Sequence, residues 1–286
     1  MSWVWAVLLG AIQGLTEFLP VSSSGHLVIL QGLAGIKAPG VTFEVALHLG
    51  TLLAVVVVLW SDIRAIWDDL VYGGTQAPGR LGRPRRRQRS GRRLLVMLLV
   101  ACLPTGAIGV LGKDALERLF SSPAAAAWAL VGTGLVLMAS PLLVRGRTPM
   151  SRVKVGQALL VGTAQGLAIV PGLSRSGMTI TASLAAGLEP DAAARFSFLL
   201  SIPAILGAAA VDGFDLRRQA GASLSGWLAA AGLSPVSLLL GVGTATVVGI
   251  VSVRWMLGLV RRGQLRPFAY YCFLIAALSL AVTYLR

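Results

Sequence analysis

Polar residues that could do chemistry are concentrated in two segments, each of which interrupts a long apolar run. They are Gln13, Glu17, Ser22, Ser23 and His26 in the first segment and Ser174, Arg175, Ser176 and Thr179 in the second. A guanidinium fork suits the oxygens of a phosphate, and a carboxylate suits a divalent cation that bridges to phosphate. Since ionisable side chains are costly within hydrocarbon, their presence here predicts a site for phosphate chemistry.

Three residues set the charge of this predicted site. We expect Arg175 to bind phosphate, and a purely structural pair with Glu17 is the alternative. Glu17 could hold a Mg²⁺ or Ca²⁺ ion, act as a general base, or simply neutralise Arg175. Gln13 lies one helical turn before Glu17 and could support the site through its amide, but it adds no second negative charge.

The nucleophile is left open by the sequence. His26 could exchange protons or attack phosphorus, and Ser23 could be a nucleophile activated by His26 or by Glu17. Ser23 could also be only a helix cap, and His26 only a hydrogen-bonding group. We expect the remaining hydroxyl groups to donate hydrogen bonds to substrate phosphate; they belong to Ser22, Ser174, Ser176 and Thr179.

A further pair of polar residues follows the first segment. Glu44 and His48 are four residues apart, so they share one face of a helix. They could line the same pocket as the residues above, or they could pair with each other near the outer end of a membrane span.

Composition indicates the elements that must position these groups. The chain has 286 residues, of which 56% are apolar and 13% charged, whereas soluble domains contain about 25% charged residues. Apolar stretches approach the roughly 20 residues that a transmembrane helix needs. They are residues 43–60, 94–110, 124–144, 196–211, 235–260 and 267–285. The chain is therefore expected to be a multi-pass α-helical membrane protein.

The net charge of +14 lies mostly in short loops beside these stretches. Eight arginines fall within residues 80–93, and further basic residues fall within 145–154 and 261–266. Placing these loops in the cytoplasm follows the positive-inside rule and fits contact with anionic lipid headgroups. No nucleic-acid partner is expected, because the basic residues are not interleaved with aromatic residues and no nucleic-acid-binding module is recognisable.

Residues 4–35 and 155–188 are apolar but are broken in the middle by Pro, Gly and Ser. Keeping the basic loops on one side requires each region to enter the membrane and return, as a re-entrant helix–loop–helix hairpin.

The sequences QGLTEFLPVSSSG from Gln13 and QGLAIVPGLSRSG from Gln165 share Gln, Gly, Leu, Ser, Ser and Gly at equal offsets. Because three spans separate the two hairpins, the copies are expected to enter from opposite faces.

We therefore predict an all-α polytopic membrane protein with six transmembrane helices and two re-entrant hairpins in an inverted-topology repeat. Residues 1–286 form one integral membrane domain, with a first repeat over 1–112 and a second over 155–286. Broken helices in such repeats meet near the membrane midplane. The returning half-helices would begin at residues 22–25 and 174–177, and their N-termini offer free N–H groups and a positive dipole end to an anion.

The segments QGLTEFLPVSSSGH from Gln13 and PGLSRSGMT from Pro171 closely resemble the two signature motifs of the undecaprenyl-diphosphate phosphatase family, the bacitracin-resistance membrane proteins. The resemblance extends over essentially the whole chain. It implies an enzyme of the bacterial inner membrane that hydrolyses undecaprenyl diphosphate to undecaprenyl phosphate and inorganic phosphate. Such an enzyme recycles the lipid carrier for cell-wall synthesis and confers resistance to bacitracin.

The resemblance also implies a divalent cation, Mg²⁺ or Ca²⁺, and an active site that opens to the outer face. The family's first motif has Glu or Gln, three further residues and then Glu, and Gln13 and Glu17 match it. Glu17 is therefore expected to bind the cation together with the substrate diphosphate. The other matches to the two motifs are Ser23, His26, Ser174, Arg175 and Thr179.

A transporter is the main alternative function. Inverted repeats around a midplane anion site are also typical of transporters, and a flippase of a polyprenyl phosphate could use the same pocket. The expected partners are a polyprenyl diphosphate lipid and membrane lipids, and the sequence leaves open whether the chain forms a homo-oligomer.

Overall fold

A computed structural model describes residues 2–26, 28, 40–72, 90–144, 146–220 and 234–285 of the chain. Within these ranges the regular structure is helical, and one isolated bridge joins Thr148 to Leu188. The end of the first predicted hairpin, residues 29–35, and most of the arginine-rich loop, residues 80–89, lie outside the described residues. The prediction of an all-α protein is confirmed for the part of the chain that is described.

Eleven α-helices are labelled here in chain order. They are α1 Trp3–Thr16, α2 Gly40–Val58, α3 Trp60–Val71, α4 Ser90–Leu111, α5 Lys113–Phe120, α6 Pro123–Ala139, α7 Val155–Leu167, α8 Arg175–Ala185, α9 Pro190–Ala220, α10 Pro235–Arg261 and α11 Arg266–Leu285. Residues 23–26 form one further helical turn, which follows α1 as α8 follows α7.

Five of the six predicted spans are confirmed as helices long and apolar enough to cross a membrane. They are Gly91–Leu111, Pro123–Leu143, Pro190–Val211, Pro235–Arg261 and Arg266–Leu285. The sixth, predicted over residues 43–60, is instead part of a pair of helices, Phe43–Val58 and Trp60–Val71, bent by 76°. The bend turns the charged residues of α3 away from the direction of α2, where hydrocarbon would make them costly.

Helix α1 packs against α10 through glycines. A Cβ atom at Gly10 would overlap the carbonyl oxygen of Gly241, and one at Gly14 would lie 2.7 Å from the carbonyl oxygen of Ala245. The two backbones therefore approach as closely as small residues allow, which is the packing that membrane helices favour. Residue numbers increase from the first contact to the second in both helices, so α1 and α10 are parallel.

Helix α7 packs in the same manner against α4. A Cβ atom at Gly162 would overlap Ala101, and one at Gly166 would lie 3.2 Å from the Cα of Thr105. The Thr105 hydroxyl donates to the carbonyl oxygen of Gly162 at 2.9 Å. Residue numbers again increase from one contact to the next in both helices, so α7 and α4 are parallel.

Ion pairs gather the charged ends of the helices at one end of the bundle. Arg195 of α9 contacts Asp62 of α3 at 2.6 Å and Asp191 at 2.9 Å, and Arg261 of α10 contacts Asp191 at 2.6 Å. The end of α10 and the start of α9 therefore meet α3.

The start of α4 meets the same short helix. The backbone N–H of Arg92 donates to the carboxylate of Asp69 at 2.8 Å. Because α4 begins where α10 ends, these two helices run in opposite directions. Helices α1 and α7, each parallel to one of them, therefore also run in opposite directions.

The loops that follow α1 and α7 touch each other. A Cβ atom at Gly25 would lie 2.7 Å from the Cα of Gly172, and one at Gly177 would lie 3.3 Å from the Cβ of Pro20. The hydroxyl of Thr133 on α6 donates to the carbonyl oxygen of Gly172 at 2.8 Å and fixes the second loop from outside. The two broken helices therefore meet at their polar tips.

Gly162→Ala is expected to destabilise the fold, because the added methyl group would overlap the backbone of α4. Overpacking of this kind costs about 1–3 kcal/mol. Thermal denaturation of the purified protein in detergent would measure the loss. Gly258→Ala on α10 is the control, because nothing lies within 4 Å of its Cβ position; equal melting temperatures for the two variants would contradict the close packing of α7 on α4.

Candidate active site

Two serine-capped turns bring the candidate residues to the tips of the broken helices. The hydroxyl of Ser22 accepts a hydrogen bond from the N–H of Gly25 at 3.2 Å, and that of Ser174 accepts one from the N–H of Gly177 at 3.2 Å. These are N-cap bonds, and they fix where each half-helix begins. The first residues after the caps are Ser23 and Arg175, which occupy equivalent positions in the two segments.

Both of these residues contact the carboxylate of Glu17. The guanidinium of Arg175 donates to Oε1 at 2.5 Å, and the hydroxyl of Ser23 donates to Oε2 at 2.9 Å. The amide of Gln13 also donates to Oε2, at 3.0 Å, and His48 Nε2 lies 3.6 Å from the same oxygen. The structure thus brings four groups, from both hairpins and from α2, around one buried carboxylate.

The surroundings of Glu17 favour a charged pair over a lone carboxylate. Its side chain is 6% exposed and that of Arg175 is 22% exposed. Phe18, the next residue, is fully buried and packs edge-on against Phe198 with ring centroids 5.7 Å apart. A carboxylate held among apolar groups is stabilised only if donors surround it, and Arg175 supplies the compensating charge. The other N–H groups of the guanidinium and the backbone N–H groups at the start of α8 are suited to an anion.

The ring of His26 is hydrogen-bonded to two other groups. Its Nδ1 lies 2.7 Å from the carbonyl oxygen of Ser22, and its Nε2 lies 2.9 Å from the hydroxyl of Tyr271. The hydroxyl of Ser23 is hydrogen-bonded to Glu17. Of the two activating groups considered for Ser23, the structure therefore brings Glu17 into contact with it.

The hydroxyl groups of the second segment lie inside the packing of the hairpin. Ser176 donates to the carbonyl oxygen of Leu19 at 3.2 Å, and its oxygen lies 3.2 Å from that of Ser174. The Thr179 hydroxyl lies 2.5 Å from the hydroxyl of Ser197 on α9. All three of the predicted phosphate ligands here are at most 4% exposed. Their contact with phosphate stays a prediction, and in this structure they join the loop to its neighbours.

The sequence left the place of His48 open, and the structure brings it to the site. Its Nδ1 lies 2.8 Å from the carbonyl oxygen of Glu44, and its Nε2 faces Glu17. Three contributing residues were not predicted: Thr133, Ser197 and Tyr271. A threonine within the apolar stretch of α6 is a signal that could have indicated Thr133, whereas nothing in the sequence near Tyr271 relates it to His26.

A divalent cation at this site would have to be shared with a substrate. No group of three or more His, Cys, Asp or Glu side chains that could hold a metal is found among the described residues, so these side chains alone do not enclose a cation. Mg²⁺ commonly uses one or two carboxylates together with substrate phosphates and water. Glu17 is the carboxylate that this structure places at the tips of the hairpins.

Comparison with known proteins shows the family of the chain. The model of the family described as bacitracin resistance protein BacA matches residues 6–278. The chain belongs to this family. A protein of Salinibacter ruber named undecaprenyl-diphosphatase is 44% identical to it over 284 residues, covering 98% of this chain and 99% of the relative. Proteins of the same name from Moorella thermoacetica and Halothermothrix orenii are 41% identical over 288 residues and 40% identical over 269 residues.

The coverage of these relatives is nearly complete in both directions. It is 100% of both chains for the Moorella thermoacetica protein, and 94% of this chain and 93% of the relative for the Halothermothrix orenii protein. The similarity therefore includes both polar segments, residues 13–26 and 171–179, and the helices between them.

Arg175→Met is expected to lower the stability of the folded protein, because it leaves the buried Glu17 carboxylate without its compensating charge. Removing one partner of a buried ion pair costs about 3–5 kcal/mol, and the partial exposure of Arg175 favours the lower end. The double variant Glu17→Gln, Arg175→Met is expected to recover much of this loss. Melting temperatures of the wild type, both single variants and the double variant measure the coupling; strictly additive losses would show that the pair contributes nothing.

Proposed function

We propose that this protein hydrolyses undecaprenyl diphosphate to undecaprenyl phosphate and inorganic phosphate in the membrane. Membership of the bacitracin-resistance family and full-length similarity to proteins named undecaprenyl-diphosphatase support this activity. The reaction returns the lipid carrier to cell-wall synthesis and confers resistance to bacitracin. A transporter is not favoured, because the relatives compared above carry the name of a hydrolase.

One structural observation carries the proposal: Ser23 and Arg175, at the starts of two half-helices, share the carboxylate of Glu17. A diphosphate approaching this point meets a guanidinium, the N–H groups of the α8 N-terminus and a hydroxyl group that is already hydrogen-bonded to a base. Phosphoryl transfer depends mostly on such charge neutralisation and on in-line positioning of the nucleophile.

In the proposed reaction, the oxygen of Ser23, or of a water molecule held beside it, attacks the terminal phosphorus. The bond from this phosphorus to the bridging oxygen breaks, and undecaprenyl phosphate leaves with the bonding electrons. Glu17 accepts the proton of the attacking hydroxyl group, and Arg175 stabilises the oxygens of the transferred group. If Ser23 attacks, water then hydrolyses the phosphoserine and releases inorganic phosphate.

A divalent cation, Mg²⁺ or Ca²⁺, completes the proposed site. Glu17 would hold it together with oxygens of the diphosphate, and the cation would neutralise part of the substrate's negative charge. Contact of Ser22, Ser174, Ser176 and Thr179 with the phosphates belongs to the same proposal.

We further propose that the two hairpins are re-entrant and form an inverted repeat in a bacterial inner membrane. The opposite directions of α1 and α7 support this arrangement, as does the packing of α1 on α10 and of α7 on α4. With the basic loops in the cytoplasm, the first hairpin enters from the outer face, and the active site opens to that face.

Purified protein in detergent is expected to release inorganic phosphate from a C55 diphosphate, and both a chelator and Arg175→Ala are expected to suppress the release. The test needs no second compartment, so it separates hydrolysis from transport. No release by protein that still melts cooperatively would remove the hydrolase proposal and make transport the better interpretation.

Ser23→Ala is expected to reduce kcat by at least about 100-fold, as loss of a nucleophile does in serine enzymes. Ser24→Ala is the matched control, because the Ser24 hydroxyl oxygen lies 3.4 Å from that of Ser22, whereas the hydroxyl group bonded to Glu17 is that of Ser23. Near-normal turnover of Ser23→Ala would exclude the serine nucleophile and leave water in that role.

A further inference from the structure

The two hairpin tips differ in one backbone angle. Ser22 has a φ of +65°, and it is the one non-glycine residue with positive φ in the described part of the chain. The equivalent cap of the second hairpin, Ser174, has an ordinary φ of −73°. A left-handed conformation is unfavourable for an L-residue other than glycine, so other contacts must hold Ser22 in place.

His26 supplies the contact that the second hairpin lacks. The carbonyl oxygen of Ser22 accepts from the backbone N–H of His26 at 3.2 Å and is also bonded to the imidazole Nδ1 at 2.7 Å. In the second hairpin the carbonyl oxygen of Ser174 accepts from the backbone N–H of Met178 at 2.8 Å. Methionine has no side-chain donor. The imidazole bond and the unusual φ therefore occur together, in the hairpin that carries Glu17.

The hydrogen-bonding roles of the His26 ring follow from its partners. A carbonyl oxygen only accepts, so Nδ1 must carry a proton. In the neutral ring, Nε2 then presents a lone pair, and the Tyr271 hydroxyl donates to it at 2.9 Å. The two rings are within 8° of parallel with centroids 5.6 Å apart. The Ser22 carbonyl thus fixes the tautomer of His26, and Tyr271 holds the other end of the ring and fixes its orientation.

Helix α11 is well placed to hold this turn. Cys272, beside Tyr271, is fully buried, and its Sγ lies 3.6 Å from the carbonyl oxygen of Pro20. Tyr270, on the other side of Tyr271, is 60% exposed. Helix α11 therefore contacts the tip of the first hairpin through Tyr271 and Cys272, whereas Tyr270 points away from it.

We propose that Tyr271 is a positioning residue of the active site. Its hydroxyl group orients His26, His26 holds the carbonyl group of Ser22 in the left-handed turn, and the turn presents Ser23 to Glu17. This role rests on the phosphatase function proposed above. It makes His26 a positioning residue as well, because its Nε2 lone pair is occupied by Tyr271 and its Nδ1 proton by Ser22.

The first test compares Tyr271→Phe with Tyr270→Phe in phosphate release from a C55 diphosphate. Tyr271→Phe keeps the ring and removes the hydroxyl group, so kcat is expected to fall about tenfold with little change in KM, the scale set by one lost hydrogen bond. Tyr270→Phe is expected to match the wild type. Equal kcat values for all three proteins would overturn the role of Tyr271, whereas an inactive wild type would contradict the proposed function instead.

A second test asks whether Tyr271 acts through the turn. Glycine adopts positive φ without strain and caps a helix nearly as well as serine. In a Ser22→Gly background, the turn needs less support, so the Tyr271→Phe substitution is expected to reduce kcat by less than it does in the wild type. The comparison uses the ratio of kcat values within each background, and it is therefore independent of the activity of Ser22→Gly itself. The same ratio in both backgrounds would show that Tyr271 acts on the chemistry directly.

A third test does not depend on activity. The chain contains two histidines, His26 and His48, so a sample labelled with ¹⁵N at histidine gives two sets of imidazole signals, which His48→Gln assigns. The wild type is expected to show His26 protonated at Nδ1, with Nε2 as a hydrogen-bond acceptor. Tyr271→Phe is expected to shift the His26 Nε2 signal and leave the melting temperature nearly unchanged; an unshifted signal would refute the hydrogen bond.

Discussion

The site depends on a single ion pair that joins residues 158 positions apart. Glu17 ends the first helix of one hairpin, and Arg175 begins the second helix of the other. The Glu17 carboxylate is buried and Arg175 supplies its compensating charge, so each fixes the position of the other. The hairpin tips must therefore meet for the pair to form, and the close approach of Gly25 to Gly172 makes this meeting sterically feasible.

Around this pair the two hairpins share the same backbone arrangement but carry different functional groups. The caps Ser22 and Ser174 are equivalent, but the next residue is a hydroxyl in one hairpin and a guanidinium in the other. The position of Glu17 is taken by Ile169 in the second hairpin. One half thus contributes a carboxylate and a hydroxyl group and the other a guanidinium, so a nearly symmetric scaffold presents an asymmetric set of groups.

Much of this arrangement follows from sequence patterns, because membrane helices are marked by length and apolar composition. Those patterns predicted six spans, of which five are confirmed, and they indicated the polar residues that meet at the two tips. They did not predict the bend after Val58, since an apolar run does not reveal where a helix changes direction. Contacts between distant segments, such as His48 with Glu17 or Tyr271 with His26, depend on tertiary packing, and a spacing rule along one helix carries no information about them.

The backbone contact between the two tips limits what can pass between them. Where Gly25 meets Gly172 there is no side chain to swing aside, and even a methyl group would not fit. A gate normally needs a movable element with two packed arrangements. A seam made of main chain offers no such element, so the contact of Gly25 with Gly172 would have to separate as a whole before anything could pass between the two tips.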